Sequence, residues 1–147
     1  MTKKSRLGAC CASLIFLFLY AAASKLFNLS QFVFDMHNQA FKQHWIKDFL
    51  IVFIPASEIL ISIALYIDRT RRAGLIASLV LMLAFTTYTF LVLVHYYARV
   101  PCSCGGIIRK LTWPQHLAFN LLFVGVAAYG LWLNRKIRKQ PSNVALT

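Results

Sequence analysis

The stretch from Ala73 to Tyr97 contains no Asp, Glu, Lys or Arg and is long enough to cross a lipid bilayer. About 20 helical residues, at ~1.5 Å each, span the ~30 Å of hydrocarbon in a membrane. Because no water at that depth can bond to exposed backbone N–H and C=O groups, such a segment must be helical. We therefore predict a membrane-spanning helix over residues 73–97.

Three further apolar runs, at residues 7–27, 49–67 and 114–133, approach the same length. The composition agrees, because 59% of the 147 residues are hydrophobic and 14% are charged, against ~45–50% and ~25% in soluble proteins. The first run exceeds the apolar core of a signal peptide, which favours a retained helix. We predict an all-α fold, an integral membrane four-helix bundle in which residues 1–147 form one domain within the lipid bilayer.

The basic residues predict how this bundle is oriented. They give a formal net charge of +12, but they lie in short clusters between apolar runs and not on one face or arm, so we expect no nucleic-acid partner. The positive-inside rule assigns the most basic loops to the cytoplasm. Ten residues belong on that side: Lys3, Lys4, Arg6, Arg69, Arg71, Arg72, Arg135, Lys136, Arg138 and Lys139. Both termini are then cytoplasmic in a bacterial inner membrane, and residues 28–48 and 98–113 face the periplasm.

The second outward segment contains two cysteines, Cys102 and Cys104, separated by a single residue. Disulfides persist in oxidising compartments such as the periplasm. A bond across one residue requires a tight, strained turn, which Pro101 and the pair Gly105–Gly106 would permit. Strained disulfides are the labile, catalytic kind. We therefore predict a redox-active dithiol; an inert or reduced pair is the alternative.

Positive charge near a cysteine favours the reactive thiolate, and several basic side chains are expected at this membrane face. They are Lys25, His95, Arg99, Arg109, Lys110 and His116. The two histidines and two cysteines would also make a Cys2His2 metal site. We predict no metal ion, because a one-residue cysteine spacing is not typical of zinc sites.

Glu58 is the one acidic residue well inside a predicted span. An ionised group there costs at least ~2.5–3.5 kcal/mol, so its side chain must face the bundle interior and find a partner. Two roles stay open: a proton relay or part of a ligand pocket, and a structural contact with Tyr88 or Lys25. Asn120, on the fourth helix, is a further polar residue at nearby depth.

No motif for a dinucleotide, flavin or haem is present, so no tightly bound cofactor is evident. A quinone is the one cofactor that we consider, because aromatic side chains in the spans could line a pocket for it. These are Phe16, Phe85, Tyr88, Phe90 and Phe123.

Two local patterns predict structure at the outward face. Residues 28–48 mix Phe, Trp and His with polar residues, as in an amphipathic segment that lies on a membrane surface. Thr112 followed by Gln115 matches a capping box, and Pro114 suits a first helical turn. The fourth span should therefore begin near residue 113.

Three short motifs follow one another along the chain: Ala-Ser-Lys-Leu-Phe at residues 23–27, Pro-Ala-Ser-Glu-Ile-Leu at 55–60 and Cys-Ser-Cys-Gly-Gly at 102–106. Their order and spacing over residues 6–133 resemble the MauE branch of the DoxX-like membrane protein family. Members of that branch are accessory factors for the disulfide-rich small subunit of methylamine dehydrogenase. The resemblance implies a periplasmic role in disulfide formation or transport, with Cys102 and Cys104 as the functional pair. Gly105 departs from the aromatic residue that is frequent there in the family.

We therefore expect an inner-membrane accessory protein that exchanges thiols and disulfides through Cys102 and Cys104, with Glu58 handling protons. Its expected partners are a periplasmic client or a thioredoxin-like protein, and a membrane quinone is an alternative electron acceptor. Two other functions stay open. One is a non-enzymatic assembly factor with incidental cysteines, and the other is a small transporter centred on Glu58.

Overall fold

A computed structural model of the protein describes residues 2–39, 42–96 and 112–139. Within these ranges every regular element is a helix. The helices are α1 (Lys3–Phe27), α2 (Leu29–His37), α3 (His44–Tyr66), α4 (Arg71–Leu93) and α5 (Trp113–Lys139). All except α2 are long and apolar enough to cross a membrane. The predicted all-α fold with four spans is confirmed.

The four long helices close into a ring, because α1 packs against α3 and α5, and α4 packs against the same two helices. Leu14, Phe18, Leu65, Leu75 and Ala127 fill its centre and are almost completely buried. Large apolar side chains such as those in the middle of α1 and α3 point outward and are exposed. This is the pattern of a bundle whose outer surface contacts lipid.

Close approach of α3 and α4 depends on Gly74, near the start of α4. A Cβ atom at this position would lie 2.8 Å from the backbone nitrogen of Leu65, a distance that real Cβ atoms do not adopt. Small residues at such contacts allow neighbouring helix backbones to pack closely in membranes. Gly74 is therefore required for the tight α3–α4 connection.

Three helices are longer than their apolar runs, and one of them is α3, which begins at His44 and not at residue 49. α1 begins at Lys3 and not at residue 7, and α5 continues to Lys139, well beyond residue 133. Lys and Arg are good helix formers whose long stems can extend to the membrane interface, so hydropathy marks only the apolar part of each helix. Near the end of α5, the Lys136 ammonium lies 4.0 Å from the ring centroid of Trp132.

α4 ends at Leu93, earlier than the predicted residue 97, which is outside the described residues. His95 has a positive φ of 56°. Its N–H donates to the Val92 carbonyl at 3.1 Å, and the Tyr96 N–H donates to the Leu91 carbonyl at 3.0 Å. These two bonds form a Schellman motif, in which a residue in the left-handed conformation ends a helix. His95 takes the position that glycine usually occupies.

α2 occupies the first part of the segment predicted to be amphipathic. Phe32 and Met36 are buried against Ile54 of α3, while Phe34 on the opposite side is exposed. The Lys47 ammonium donates to the carbonyl of His37 at 2.6 Å and joins the end of α2 to α3. The amphipathic helix is therefore present, but it is shorter than residues 28–48, because α3 already begins at His44.

α5 begins as the capping pattern predicts. The Thr112 N–H donates to Oε1 of Gln115 at 3.0 Å, which is the reciprocal half of a capping box. The His116 N–H donates to the Thr112 carbonyl at 2.9 Å and closes the first turn. This start places the side chains of Trp113 and His116 at the same end of the bundle as the end of α4.

Candidate functional site

An ion pair between Lys25 and Glu58 lies inside the bundle. Lys25 Nζ is 2.8 Å from Glu58 Oε1, and the two side chains are only 9% and 1% exposed. Lys25 also donates to the carbonyl of Ala21, one turn back in α1, at 3.2 Å. A cation in the last turn of a helix is stabilised by the helix dipole. The pairing with Lys25, one of the two structural contacts expected for Glu58, is thus observed.

Such a pair does not by itself stabilise a fold. Removing two charges from water costs several kcal/mol for each ion, and their attraction repays this only with good geometry and further hydrogen bonds. Glu58 lacks one of those further bonds, because its Oε2 atom is buried and has no partner among the described residues. The ion pair is therefore weak evidence of a contribution to stability.

A cavity of about 80 Å³ lies beside the ion pair, between residues of all five helices. We call it the polar cavity. Its polar lining consists of Lys25, Gln39, Glu58, Tyr88, Thr89, His116 and Asn120. Its aromatic walls are Phe18, Phe32, Phe85, Trp113 and Phe119, together with Tyr88. The cavity is therefore mostly apolar, with polar groups that converge from the four long helices and from Gln39, just after α2.

Hydrogen bonds between helices hold part of this lining in place. Asn120 Nδ2 donates to Oγ1 of Thr89 at 3.3 Å and so connects α5 with α4. The Thr89 hydroxyl donates in turn to the Phe85 carbonyl at 2.8 Å. The Tyr88 hydroxyl donates to Oε1 of Gln39, just after α2. The walls of the cavity are therefore fixed by contacts that do not use the two charged residues.

His116 supplies a second unpartnered atom. Its Nδ1 atom is buried and, like Glu58 Oε2, has no hydrogen-bond partner within the part of the chain that the structure describes. A buried polar atom without a partner costs about 1–3 kcal/mol, so a water or a ligand beside each atom would be stabilising. Ordered water or a bound polar molecule is the usual solution in proteins.

Five of the predicted site residues meet at the polar cavity: Lys25, Glu58, Tyr88, His116 and Asn120. His95 does not. It is exposed beyond the end of α4, where its observed role is to terminate the helix. Cys102, Cys104, Arg99, Arg109 and Lys110 lie outside the described residues, so their predicted roles stay predictions.

Two polar residues of the cavity lining were not predicted, Gln39 and Thr89. Thr89 is 2% exposed, whereas its neighbour Thr87 is exposed. A helical face repeats every three to four residues, so Phe85 and Thr89 share the inward face of α4. Because the residues on both sides of them are apolar, the sequence does not indicate which face of α4 points inward. Among the described residues, no group of three or more His, Cys, Asp or Glu side chains could hold a metal ion.

Four apolar helices closed around a buried ion pair and a polar cavity define a multi-pass α-helical membrane protein. Sequence comparison identifies the family. The family described as methylamine utilisation protein MauE matches residues 3–133, and the chain belongs to this family. No curated protein and no solved structure matches the chain. It is therefore a membrane protein of the methylamine utilisation type, and the wider DoxX-like relationship stays a prediction.

Proposed function

We propose that this MauE-family protein exchanges thiols and disulfides at the periplasmic face of a bacterial inner membrane, with Cys102 and Cys104 as the reactive pair. A client thiolate attacks the Cys102–Cys104 disulfide and forms a mixed disulfide. The second client thiolate then breaks the mixed disulfide. The client gains one S–S bond, and the protein's pair takes up the two electrons and two protons.

The observation that supports this proposal is that the polar cavity lies between α4 and α5, the two helices that flank the cysteine pair in the sequence. α4 and α5 both line the cavity, and the chain between these two helices contains the cysteine pair. Covalent continuity therefore tethers the pair to the end of the bundle that holds Lys25, Glu58 and His116. These side chains can donate and accept protons, which thiol–disulfide chemistry releases and consumes.

The charge distribution supports a periplasmic position for this end. The opposite end, which we call the basic end, consists of the start of α1, the α3–α4 connection and the end of α5, where the ten basic residues named above lie. The positive-inside rule assigns this end to the cytoplasm. Both termini would then be cytoplasmic, and the polar cavity would lie on the periplasmic side of the bundle.

The family description supports a client of the methylamine utilisation type. The disulfide-rich small subunit of methylamine dehydrogenase would be such a client, as the sequence resemblance implies. A thioredoxin-like protein is a second partner of the same chemistry, because its dithiol would react with Cys102 or Cys104 by the same exchange.

Single cysteine variants test the proposal. Cys102→Ala and Cys104→Ala each remove one half of the pair. In the reverse direction of the exchange, the remaining thiolate should attack the disulfide of an oxidised periplasmic client, and the variant that keeps the attacked sulfur should accumulate the mixed disulfide. The adduct is seen as a reductant-sensitive band on non-reducing gels after acid quenching. Cys10→Ala and Cys11→Ala are matched controls, because these free cysteines lie near the basic end, and they should form no adduct. Normal client maturation by the Cys102→Ser, Cys104→Ser double variant would contradict the proposal.

A transporter centred on Glu58 is a second candidate, and the unpartnered Glu58 Oε2 atom favours it. A buried carboxylate oxygen without a hydrogen-bond partner can accept a proton or a polar substrate group. This candidate predicts that Glu58→Gln abolishes function while the double cysteine variant is tolerated. Thiol–disulfide exchange predicts the greater loss in the double cysteine variant, so the two substitutions distinguish the functions.

A further inference from the structure

We propose that the polar cavity binds the head group of a lipid-soluble quinone. The binding site consists of the Lys25–Glu58 ion pair, His116, Asn120 and the aromatic walls of the cavity. The role of the quinone as electron acceptor rests on the proposed thiol–disulfide exchange. The binding itself rests on the cavity alone and is tested separately below.

The ion pair offers both kinds of hydrogen bond that a quinone needs in its two oxidation states. A lysine ammonium has three donors; two of them contact Ala21 and Glu58 Oε1, which leaves one for a ligand carbonyl oxygen. Glu58 Oε2, buried and unpartnered, can accept a bond from a ligand hydroxyl. One ligand oxygen can therefore contact Lys25 as a quinone carbonyl and Glu58 as a hydroquinone hydroxyl.

His116 provides a second polar contact on another helix. Its buried Nδ1 atom is unpartnered within the described ranges, and an imidazole nitrogen donates or accepts according to its tautomer. A quinone has two oxygens on opposite sides of its ring. Polar groups from α1, α3 and α5 around one cavity suit a ligand with two separated oxygens better than a ligand with one.

The aromatic walls and the volume of the cavity suit a ligand head group with one six-membered ring. Aromatic side chains such as Phe32, Phe85 and Phe119 line it and can pack against a flat π-system. At roughly 10–15 Å³ for each buried water, its volume of about 80 Å³ would hold on the order of six waters or one six-membered ring. Pockets that bury drug-sized ligands are larger, in the range of about 300–1,000 Å³.

The location of the cavity favours a ligand that reaches it from the lipid. Glu58, one of the lining residues, lies in the middle of α3. It is about 20 Å along the helix from His44, at ~1.5 Å for each residue. A ligand dissolved in the bilayer can enter between helices at this depth, and an apolar tail can remain in the lipid.

The electron transfer balances without another reactant. The thiols of Cys102 and Cys104 lose two electrons and two protons, and an S–S bond forms between them. The quinone gains the two electrons and two protons, and its two carbonyl oxygens become hydroxyls. This step would regenerate the disulfide that the proposed exchange consumes.

The binding experiment uses the full chain in lipid nanodiscs and decylubiquinone as the probe. Trp113 lines the cavity, whereas Trp45 and Trp132 are exposed on the bundle surface. In a background with phenylalanine at positions 45 and 132, decylubiquinone should quench the Trp113 fluorescence with saturation. Quenching that rises linearly with probe concentration would reflect partition into lipid only and would overturn the proposal.

A matched pair of asparagine variants tests whether the cavity is the site. Asn120 and Asn134 are both buried in α5, but only Asn120 lines the cavity. Asn120→Leu leaves the ion pair intact and should weaken probe binding by about tenfold, the effect of one lost hydrogen bond and a changed wall. Asn134→Leu should leave it unchanged. Equal effects of the two substitutions would overturn the proposal.

Charge variants extend this comparison. Lys25→Gln and Glu58→Gln should weaken probe binding by at least about tenfold. Lys47→Gln is the control, because Lys47 is also buried but bonds to His37 away from the cavity lining. His116→Phe keeps both charges and should still weaken binding if either charge variant does not fold. Unchanged binding in a folded His116→Phe or Lys25→Gln variant would exclude the site.

The double variant Cys102→Ser, Cys104→Ser separates this proposal from the proposed function. It should bind decylubiquinone normally but should no longer support its reduction by added dithiol, measured by the loss of quinone absorbance. Binding without reduction in the unsubstituted protein would refute electron transfer and leave the binding site standing. A trapped client adduct without saturable binding would support thiol exchange and overturn the quinone site.

Discussion

The polar groups at the two ends of the bundle find their partners in different ways. Toward the basic end, Ser62 and Ser78 are buried, and each donates to a carbonyl one turn back in its own helix, at 2.8 and 2.7 Å. At the polar cavity, Lys25 bonds to Glu58 across two helices and Asn120 bonds to Thr89 across two others. Two buried atoms there have no partner among the described residues.

This difference distinguishes two kinds of buried polar residue. One kind is satisfied by its own helix, and the other can also bond to a ligand. A serine that bonds within its own helix leaves no polar atom in need of a partner, so the helices around it can pack as if it were apolar. Polar groups that bond across helices require those helices to keep one arrangement, and unpartnered atoms require an occupant. The cavity end is therefore where we propose the chemistry, whereas the buried serines toward the basic end need no partner beyond their own helices.

The largest expected effect comes from breaking the ion pair. Lys25→Met leaves the buried Glu58 carboxylate without its partner, which should lower the free energy of unfolding by about 3–5 kcal/mol. The double variant Lys25→Met, Glu58→Leu should recover most of this loss, because two well-packed apolar residues can replace a buried pair. Both are measured by denaturant titration in mixed micelles.

Ser62→Ala is the comparison from the other region. Its hydroxyl bonds only within α3 in the contacts described, so its removal should cost about 1 kcal/mol or less. If Lys25→Met proved no more destabilising than Ser62→Ala, the bonds across helices at the cavity would contribute no more than the bonds within single helices toward the basic end, which contradicts the comparison.

Glycine substitutions test the close packing. Gly74→Ala places a Cβ atom 2.8 Å from the backbone of Leu65 and should cost about 1–3 kcal/mol through overpacking. Gly125→Ala is the matched control, since a Cβ there meets nothing within 4 Å, and alanine should stabilise that helix by about 0.5–1 kcal/mol. Thermal unfolding of the two variants in one detergent should give shifts of opposite sign.

The smallest effect concerns the end of α4. His95→Gly should raise stability by up to about 1 kcal/mol, because glycine adopts the left-handed conformation without a steric penalty. Val94→Gly, one residue earlier at a φ of −82°, should lower stability by a similar amount. A loss of activity in His95→Gly with an unchanged melting temperature would instead show that the imidazole itself takes part in the chemistry.

The sequence was sufficient for the four spans because a membrane segment is recognised from local composition. It was also sufficient to suggest the partner of Glu58, since a buried carboxylate needs a cation and Lys25 ends an apolar run nearby. The threonine on the inward face of α4 was missed. Thr86, Thr87 and Thr89 are alike in sequence, and only the rotation of α4 within the bundle, set by packing against α3 and α5, buries Thr89.

His95 shows a second reason why the sequence was not sufficient. A histidine near the end of a span was interpreted as a candidate for chemistry, and this role stays a prediction. The pattern of residues did not indicate that its backbone ends the helix. Glycine is the usual signal for this conformation, and histidine adopts it less often. The contact of Gln39 with Tyr88 was equally hidden, because it depends on where α2 lies against α3.

The length of α5 has a consequence for the bilayer. Its 27 residues extend about 40 Å at ~1.5 Å each, beyond the ~30 Å of hydrocarbon, and the stacked Lys136 and Trp132 side chains form an interfacial anchor near its end. A helix of this length accommodates thicker lipid by tilting less and thinner lipid by tilting more. We expect the protein to insert equally well into membranes of different thickness, with the aromatic anchor at a constant depth.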